Sequence, residues 1–286
     1  MIARQLKFLR LHEWAFGLFL LITACRLLVA SGFSQAAVFV VMAATIPLMA
    51  ALEFRWPHSA NSRLRLILFP VLVNLVYPQL GQVVFILGSA PCDATLLRWD
   101  RSLFHETPSL LMSGWHHPAA TEFMSACYVS FFPAVLSAFV IAIAYAEPRG
   151  VKLFNGLITI YAIGFLGYTL VPAAGPHLTL SDWAAHAPSG GAMTAFNAKL
   201  VAAGSNHVDV FPSLHLAITA FLMGLLWKHA RRSFIALLVP AIGLGLATLY
   251  LGYHYAVDLV AGILLAGTGW WCTSLPLDHN ESNPAL

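Results

Sequence analysis

Two histidines and one aspartate in the C-terminal half of this sequence are best placed to do chemistry. His215 ends the phrase Phe211-Pro212-Ser213-Leu214-His215, and His254 opens the phrase His254-Tyr255-Ala256-Val257-Asp258. Pro212 suits the first turn of a helix, where its missing N–H would be unpaired anyway. Ser213 and His215 then sit beside free backbone N–H groups at the positive end of that helix, a ready site for an anion. His254 and Asp258, four residues apart, share one helix face. The carboxylate can accept the imidazole Nδ1–H and leave Nε2 unprotonated toward a substrate. Ser, His and Asp together also fit a serine nucleophile. No Gly-x-Ser-x-Gly elbow occurs, however, so histidine is the expected nucleophile. The bland alternatives are an interfacial histidine with satisfied hydrogen bonds and, for Ser213, a plain helix cap.

The elements that must position these residues are membrane helices. Of 286 residues 59% are hydrophobic and 9% charged, against about 25% charged in soluble domains. A crossing helix needs about 20 mostly apolar residues. Eight stretches qualify, near Glu13–Ala30, Ala36–Glu53, Leu66–Ser89, Thr121–Ala146, Leu153–Val171, Pro212–Trp227, Phe234–Leu251 and Tyr255–Trp271. The expected fold is therefore all-α: a polytopic transmembrane helical bundle of about eight spans, one membrane domain over 1–286. Its N-terminal helices run over 1–90 and the chemistry-bearing core over 100–275. The seventh stretch returns the chain antiparallel to the sixth, which predicts that His215 and His254 meet. Asp258, inside a membrane helix, requires a partner, and His254 is at the spacing to supply it.

Charge sets the expected orientation. With a cytoplasmic N-terminus the inner segments hold eleven basic residues: Arg4, Lys7, Arg10, Arg55, Arg63, Arg65, Arg149, Lys152, Lys228, Arg231 and Arg232. The outer segments hold three, Arg98, Arg101 and Lys199, while Arg26 lies in the first span. This positive-inside bias predicts cytoplasmic termini and places both histidines on the extracytoplasmic side. Arg26 also interrupts the apolar stretch a cleaved signal peptide needs, so the first helix is expected to be retained. The two long connections, about 90–120 and 172–211, both fall outside and are expected to carry function. Leu96-Leu97-Arg98-Trp99 could form an amphipathic surface piece.

Other features point away from metals, redox work and nucleic acid. Cys25, Cys92, Cys127 and Cys272 contain no CxxC pair, and a Cys92–Cys127 disulfide is open only if both reach the outer side. Eight of the twelve histidines lie outside or near it, yet no HxxxH or HExxH spacing occurs, so no metal site is read. A net charge of +3 gives no nucleic-acid signal. Asn74, Gln79, Gln82 and Asn155 are expected to hydrogen-bond between helices. Tyr168, near the outer end of the fifth span, either lines a substrate entrance or sits in an aromatic belt.

Pro212-Ser213-Leu214-His215 and His254 to Asp258 resemble the second and third motifs of the type-2 phosphatidic acid phosphatase superfamily. Leu214 in place of Gly, and the phrase His-Tyr-x-x-Asp, are similar to the branch that includes inositol phosphorylceramide synthases. Asp100-Arg101-Ser102-Leu103-Phe104 with Pro108 resembles a further block of that branch, and Val171–Pro176 occupies the place of the first motif. The likeness covers about 100–262. It implies that His254 attacks phosphorus to give phosphohistidine, that Asp258 orients it, and that His215 protonates the leaving oxygen and activates the acceptor. It implies no cofactor.

The departures from the family pattern narrow the expected substrate. The superfamily's phosphatases carry Lys and Arg in the first motif and an Arg six residues before the nucleophile. Here Gly175-Pro176-His177 has neither, and position 248 is Thr248. The outer acids Asp93, Asp100, Glu106, Asp182 and Asp209 outnumber the bases. A dianionic monoester normally requires cations in a site of low dielectric, whereas a monoanionic diester can be held by helix N-termini, Ser213 and His177, with Gly175, Tyr168 and Asp100 as further contacts. The expected partners are a phospholipid donor and a lipid hydroxyl or water acceptor. The alternatives are a lipid phosphate or isoprenoid pyrophosphate phosphatase, and a non-catalytic lipid-binding protein or transporter.

Overall fold

The structure is a computed structural model that describes residues 9–181 and 183–277; Arg4, Lys7 and Asp182, counted above by charge, lie outside them. In chain order its helices are α1 (Leu11–Ser31), α2 (Phe33–Arg55), α3 (Ser59–Val76), α4 (Leu80–Ile86), α5 (Asp93–Phe104), α6 (Pro108–Ser113), α7 (Pro118–Val129) and α8 (Phe131–Tyr145). They continue as α9 (Arg149–Leu170), α10 (Pro176–Thr179), α11 (Trp183–His186), α12 (Ala192–Gly204), α13 (Leu214–His229), α14 (Arg231–Tyr250) and α15 (Ala256–Ser274). Helix prevails because hydrocarbon supplies no hydrogen bonds, so each backbone N–H and C=O must be satisfied within its own segment.

Seven segments are long and apolar enough to cross a membrane: α1, α2, α3 with α4, α7 with α8, α9, α14 and α15. The remaining expected span, sixth in chain order, is α13, an apolar helix of 16 residues. At 1.5 Å per residue it reaches about 24 Å, short of a hydrocarbon core of about 30 Å. It starts at Leu214, so Pro212 lies ahead of the cap instead of in the first turn.

The described chain forms two compact units. One comprises residues 9–88, 136–166 and 267–277, the other 89–135 and 167–266. The core of the first is aromatic: Phe16 lies 5.6 Å from Phe19, 6.1 Å from Phe69 and 6.4 Å from Phe165 between ring centroids. Where α1, α3 and α9 begin and α2 ends, buried charges alternate in sign. Arg65 binds Glu13 and, at 2.7 Å, Glu53, while Arg10 binds Glu53 at 3.3 Å and also Glu147. Charges this deep persist only when paired. Asn155 joins α9 to α1 as expected, its Oδ1 lying 2.7 Å from His12 Nδ1. Asn74 does not bridge helices; it donates to the Pro70 carbonyl of its own helix at 2.8 Å.

The second unit holds Ser213, His215, His254 and Asp258. Helices α13 and α14 pack as a hairpin joined through Ala230, and α14 lies against α7. Helix α15 approaches the start of α13 so closely that a Cβ on Gly262 would stand 2.6 Å from the Ser213 carbonyl. Gly262 follows Asp258 by four residues and so shares its face. Leu96, Ala173, Val210, Tyr255 and Val257 form one buried cluster under these ends, and Tyr128, Ala247, Tyr250 and Leu251 another. A parallel bridge pairs Ala173 with Asp209. All four cysteines are free, so Cys92 and Cys127 are not joined.

Candidate active site

Helix α5 is the foundation of the site. Its buried face carries Asp93, Leu96 and Asp100, with Arg98, Trp99 and Arg101 outward. Asp93 and Asp100 are seven residues apart, two helical turns, and thus on one side. Asp93 Oδ1 accepts the Gly175 N–H at 2.9 Å and the Tyr255 hydroxyl at 3.1 Å, and Asp93 also accepts the Ala174 N–H at 3.1 Å. Asp100 accepts the N–H groups of Ala256 and Val257, both at 3.0 Å, and the Thr107 hydroxyl at 2.7 Å. Two carboxylates of one helix therefore hold the 173–175 turn and the start of α15 in register.

That arrangement gives two expected substrate contacts a different task. Asp100 is fully buried with both oxygens engaged, so it caps α15. Gly175, at φ 92°, donates its amide to Asp93, and a Cβ there would stand 2.6 Å from the Tyr253 carbonyl. It is a close-packed turn residue. Tyr168 is 2% exposed, which removes it from both an entrance and an interfacial belt. Replacing Asp100 by alanine strands two buried amides and a hydroxyl, each worth roughly 1–3 kcal/mol. A clear drop in melting temperature in detergent is expected, larger than for Asp100→Asn, which keeps an acceptor.

His254 lies in the turn before α15, with Tyr255 as the cap and Asp258 in the first turn. The pair thus meets across a helix entry and not along a helical face. His254 Nδ1 is 3.5 Å from Asp258 Oδ2, which also accepts the Tyr255 N–H at 2.8 Å. The His254 N–H donates to the Thr248 carbonyl at 3.0 Å, and its carbonyl accepts the Ser109 hydroxyl at 3.1 Å. On the other side of the ring, Nε2 is 3.4 Å from both Ser213 Oγ and His215 Nδ1. The expected meeting of His215 and His254 is present.

Ser213 is the cap of α13, its Oγ accepting the Leu216 N–H at 3.4 Å while its own N–H donates to the Asp258 carbonyl at 3.1 Å. It both caps and faces His254. The two helix starts differ electrostatically. Asp100 and Asp258 occupy the amides of Tyr255, Ala256 and Val257, leaving α15 with little to offer an anion. The first turn of α13 retains the Leu214 and His215 amides without intrahelical acceptors. His215 lies between the rings of Phe131 and Tyr128, with centroids at 4.6 and 4.9 Å.

His177 joins from α10. The Gly252 carbonyl lies 3.1 Å from its Nδ1 and accepts its backbone N–H at 2.8 Å. A carbonyl only accepts, so Nδ1 holds the proton and Nε2 is the bare nitrogen. Burial lowers the pKa of His177 to about 4. Burial likewise lowers His254 to about 4, outweighing the opposing influence of the Asp209 carboxylate and the Val210 backbone. His254 is thus neutral near pH 7. The acid limb of kcat/KM should fall below pH 5, not near the ordinary histidine value of about 6.5. The unfolded chain binds these protons more readily, so stability also declines as pH drops from 6.5 toward 4. A pH series of rates and melts checks both.

Other histidines of this unit serve structure. His117 caps α7 by accepting the Ala119 N–H at 3.3 Å, and His116 lies between the carbonyls of Tyr250 and His186. Asp93, Ser109, Tyr255, Tyr128 and Phe131 escaped the sequence reading. A signal existed for Asp93, since acids seven apart in an amphipathic stretch share a face. The aromatic neighbours of His215 sit about ninety residues upstream and carry no motif.

A family model described as the PAP2 superfamily matches residues 94–272. No curated protein and no solved structure matches the chain.

Proposed function

Because the chain belongs to the PAP2 superfamily, whose phosphatases and phosphotransferases act on lipid phosphates, we propose that it transfers the phospho-head group of a phospholipid diester to a lipid hydroxyl or to water. The observation that carries this reading is His254 Nε2 at 3.4 Å from both Ser213 Oγ and His215 Nδ1. One phosphorus atom bonded to that nitrogen would have its oxygens at the Ser213 hydroxyl, the first-turn amides of α13 and His215.

Neutral His254 attacks phosphorus through Nε2, and the bond from phosphorus to the diacylglycerol oxygen breaks. His215, which takes up a proton as the anionic phosphate comes to lie beside it, gives that proton to the leaving oxygen. The resulting phosphohistidine ring carries positive charge, which the Asp258 carboxylate beside Nδ1 offsets. An acceptor hydroxyl then attacks phosphorus, its proton passes to His215, and the P–N bond breaks. His254 returns neutral, and His215 holds the proton until the anionic product leaves, ready for another cycle. No step calls for a metal ion.

The diester, as in the inositol phosphorylceramide synthase-like branch, is preferred on charge. Among the described residues no lysine or arginine contributes electrostatically to His177, His215 or His254. Thr248, where the phosphatases carry Arg, is fully buried and donates its hydroxyl to the Gly245 carbonyl at 2.8 Å. An extracytoplasmic site with cytoplasmic termini accords with the basic residues flanking the apolar helices: Arg55 ends α2, Arg149 and Lys152 open α9, Lys228 lies in the last turn of α13, and Arg231 and Arg232 open α14. Purified protein should turn over a diester phospholipid faster than phosphatidic acid of the same acyl chains. Faster release of phosphate from phosphatidic acid would favour the phosphatase reading and overturn the diester preference.

A further inference from the structure

Helix α12 lies in the long connection between α9 and α13, and it reaches toward the site through one side chain. Its residues Thr194, Asn197 and Val201 recur at spacings of three and four and so share a face. Glu122 of α7 holds the start of that face, accepting the Met193 N–H at 3.0 Å, the Thr194 N–H at 2.8 Å and the Thr194 hydroxyl at 2.6 Å. Ser125, three residues further along α7, donates to Thr194 Oγ1 at 3.3 Å. Asn197 is 1% exposed, although its neighbour Phe196 faces outward. Its Nδ2 donates to the Tyr253 hydroxyl at 3.1 Å, and its Oδ1 is buried with no partner among the described residues. The amide thus serves Tyr253 alone.

That bond governs a ring and not the backbone. The N–H groups of Tyr253 and His254 both donate to the Thr248 carbonyl, at 2.9 and 3.0 Å, wherever the ring lies. The ring itself packs against two others, Tyr128 at 4.9 Å and His177 edge-on at 5.0 Å between centroids. Tyr128 in turn lies 4.9 Å from the ring of His215. Among the described residues His215 has one hydrogen-bonding neighbour for its side chain, His254 Nε2 at 3.4 Å. Its orientation therefore depends on the rings packed against it, and close-packed rings pass a displacement on to one another.

Resting on the proton-transfer role proposed for His215, we infer that Asn197 is a positioning residue for the reaction. Its hydrogen bond fixes the Tyr253 ring, and through Tyr128 that ring aims His215 at the leaving oxygen. A helix of the loop thus acts on the chemistry without touching substrate.

The test runs Asn197→Ala, Tyr253→Phe, their double variant and His215→Ala on two substrates. With the phospholipid, Asn197→Ala and Tyr253→Phe should each lower kcat about tenfold and leave KM within about twofold. Both delete the same hydrogen bond, so the double variant should fall no further than either single one. The second substrate is the p-nitrophenyl ester of the same head-group phosphate, whose leaving group departs as an anion and needs no proton. Its single-turnover release should stay within about threefold of wild type in all four proteins. An unchanged kcat, a rise in KM alone, effects that multiply in the double variant, or equal slowing of both substrates in Tyr253→Phe would overturn the inference. Tyr253→Phe keeps the ring and the backbone bonds, so it decides even if Asn197→Ala fails to fold. If His215→Ala itself slows both substrates alike, the acid role of His215 fails and this inference falls with it. If only phosphatidic acid is cleaved, the diester reading fails by itself, and the same comparison is made with phosphatidic acid and p-nitrophenyl phosphate.

Discussion

Replacing His254 by alanine should reduce phospholipid turnover by at least about 10³-fold, because it removes the atom that would bond to phosphorus. The backbone contacts of residue 254 survive the change. Its N–H still reaches the Thr248 carbonyl at 3.0 Å and its carbonyl still accepts Ser109 at 3.1 Å. The fold should therefore persist, and a gel-filtration profile and melt in detergent should resemble wild type. The imidazole is 2% exposed, so its loss leaves a cavity of side-chain size, and a modest fall in melting temperature is expected. Radiolabelled donor should also leave an acid-labile phosphoryl label on wild type and none on His254→Ala. Turnover within tenfold of wild type would remove His254 as nucleophile and bring back the reading in which Ser213 attacks.

Asp258→Asn should separate two tasks of one carboxylate. Oδ2 accepts the Tyr255 N–H at 2.8 Å, as a first-turn residue does for a helix cap, and lies 3.5 Å from His254 Nδ1. An amide oxygen keeps the first contact but carries no charge to offset an imidazolium or to select the Nδ1–H tautomer. Loss of the orienting carboxylate in a comparable His–Asp pair costs up to about 10⁴ in kcat. We expect a fall of 10² to 10⁴ in kcat, little change in KM, and a melting temperature near wild type. Asp258→Ala should lose the activity and, with it, about 1 kcal/mol of cap. Full activity in Asp258→Asn would mean that the carboxylate only caps α15, and the proposed support of phosphohistidine would be withdrawn.

The helices were legible because hydrocarbon imposes one rule on every residue of a span, and a run of apolar side chains satisfies it locally. The start of α13 was misplaced by two residues because Pro212 suits either the first turn or the position before the cap. Asn74 looked interhelical on its amide alone, yet its partner lies one turn back at Pro70. Tyr168 looked interfacial from its place near a helix end, but burial depends on what packs over it.

Types and spacings along the chain were enough to single out Ser213, His215, His254 and Asp258 and to bring the two histidines together, since an antiparallel hairpin returns the chain to its starting depth. Tertiary structure alone decided which polar groups remain free for a ligand. Asp93, Asp100 and Gly175 are short-range enigmas in sequence; in space each is consumed by the amides it holds or donates, and only the first turn of α13 is left for an anion. The physical reason is that a buried hydrogen-bonding group must be satisfied by whatever neighbour the fold delivers, and that neighbour for Asp100 comes from more than 150 residues away.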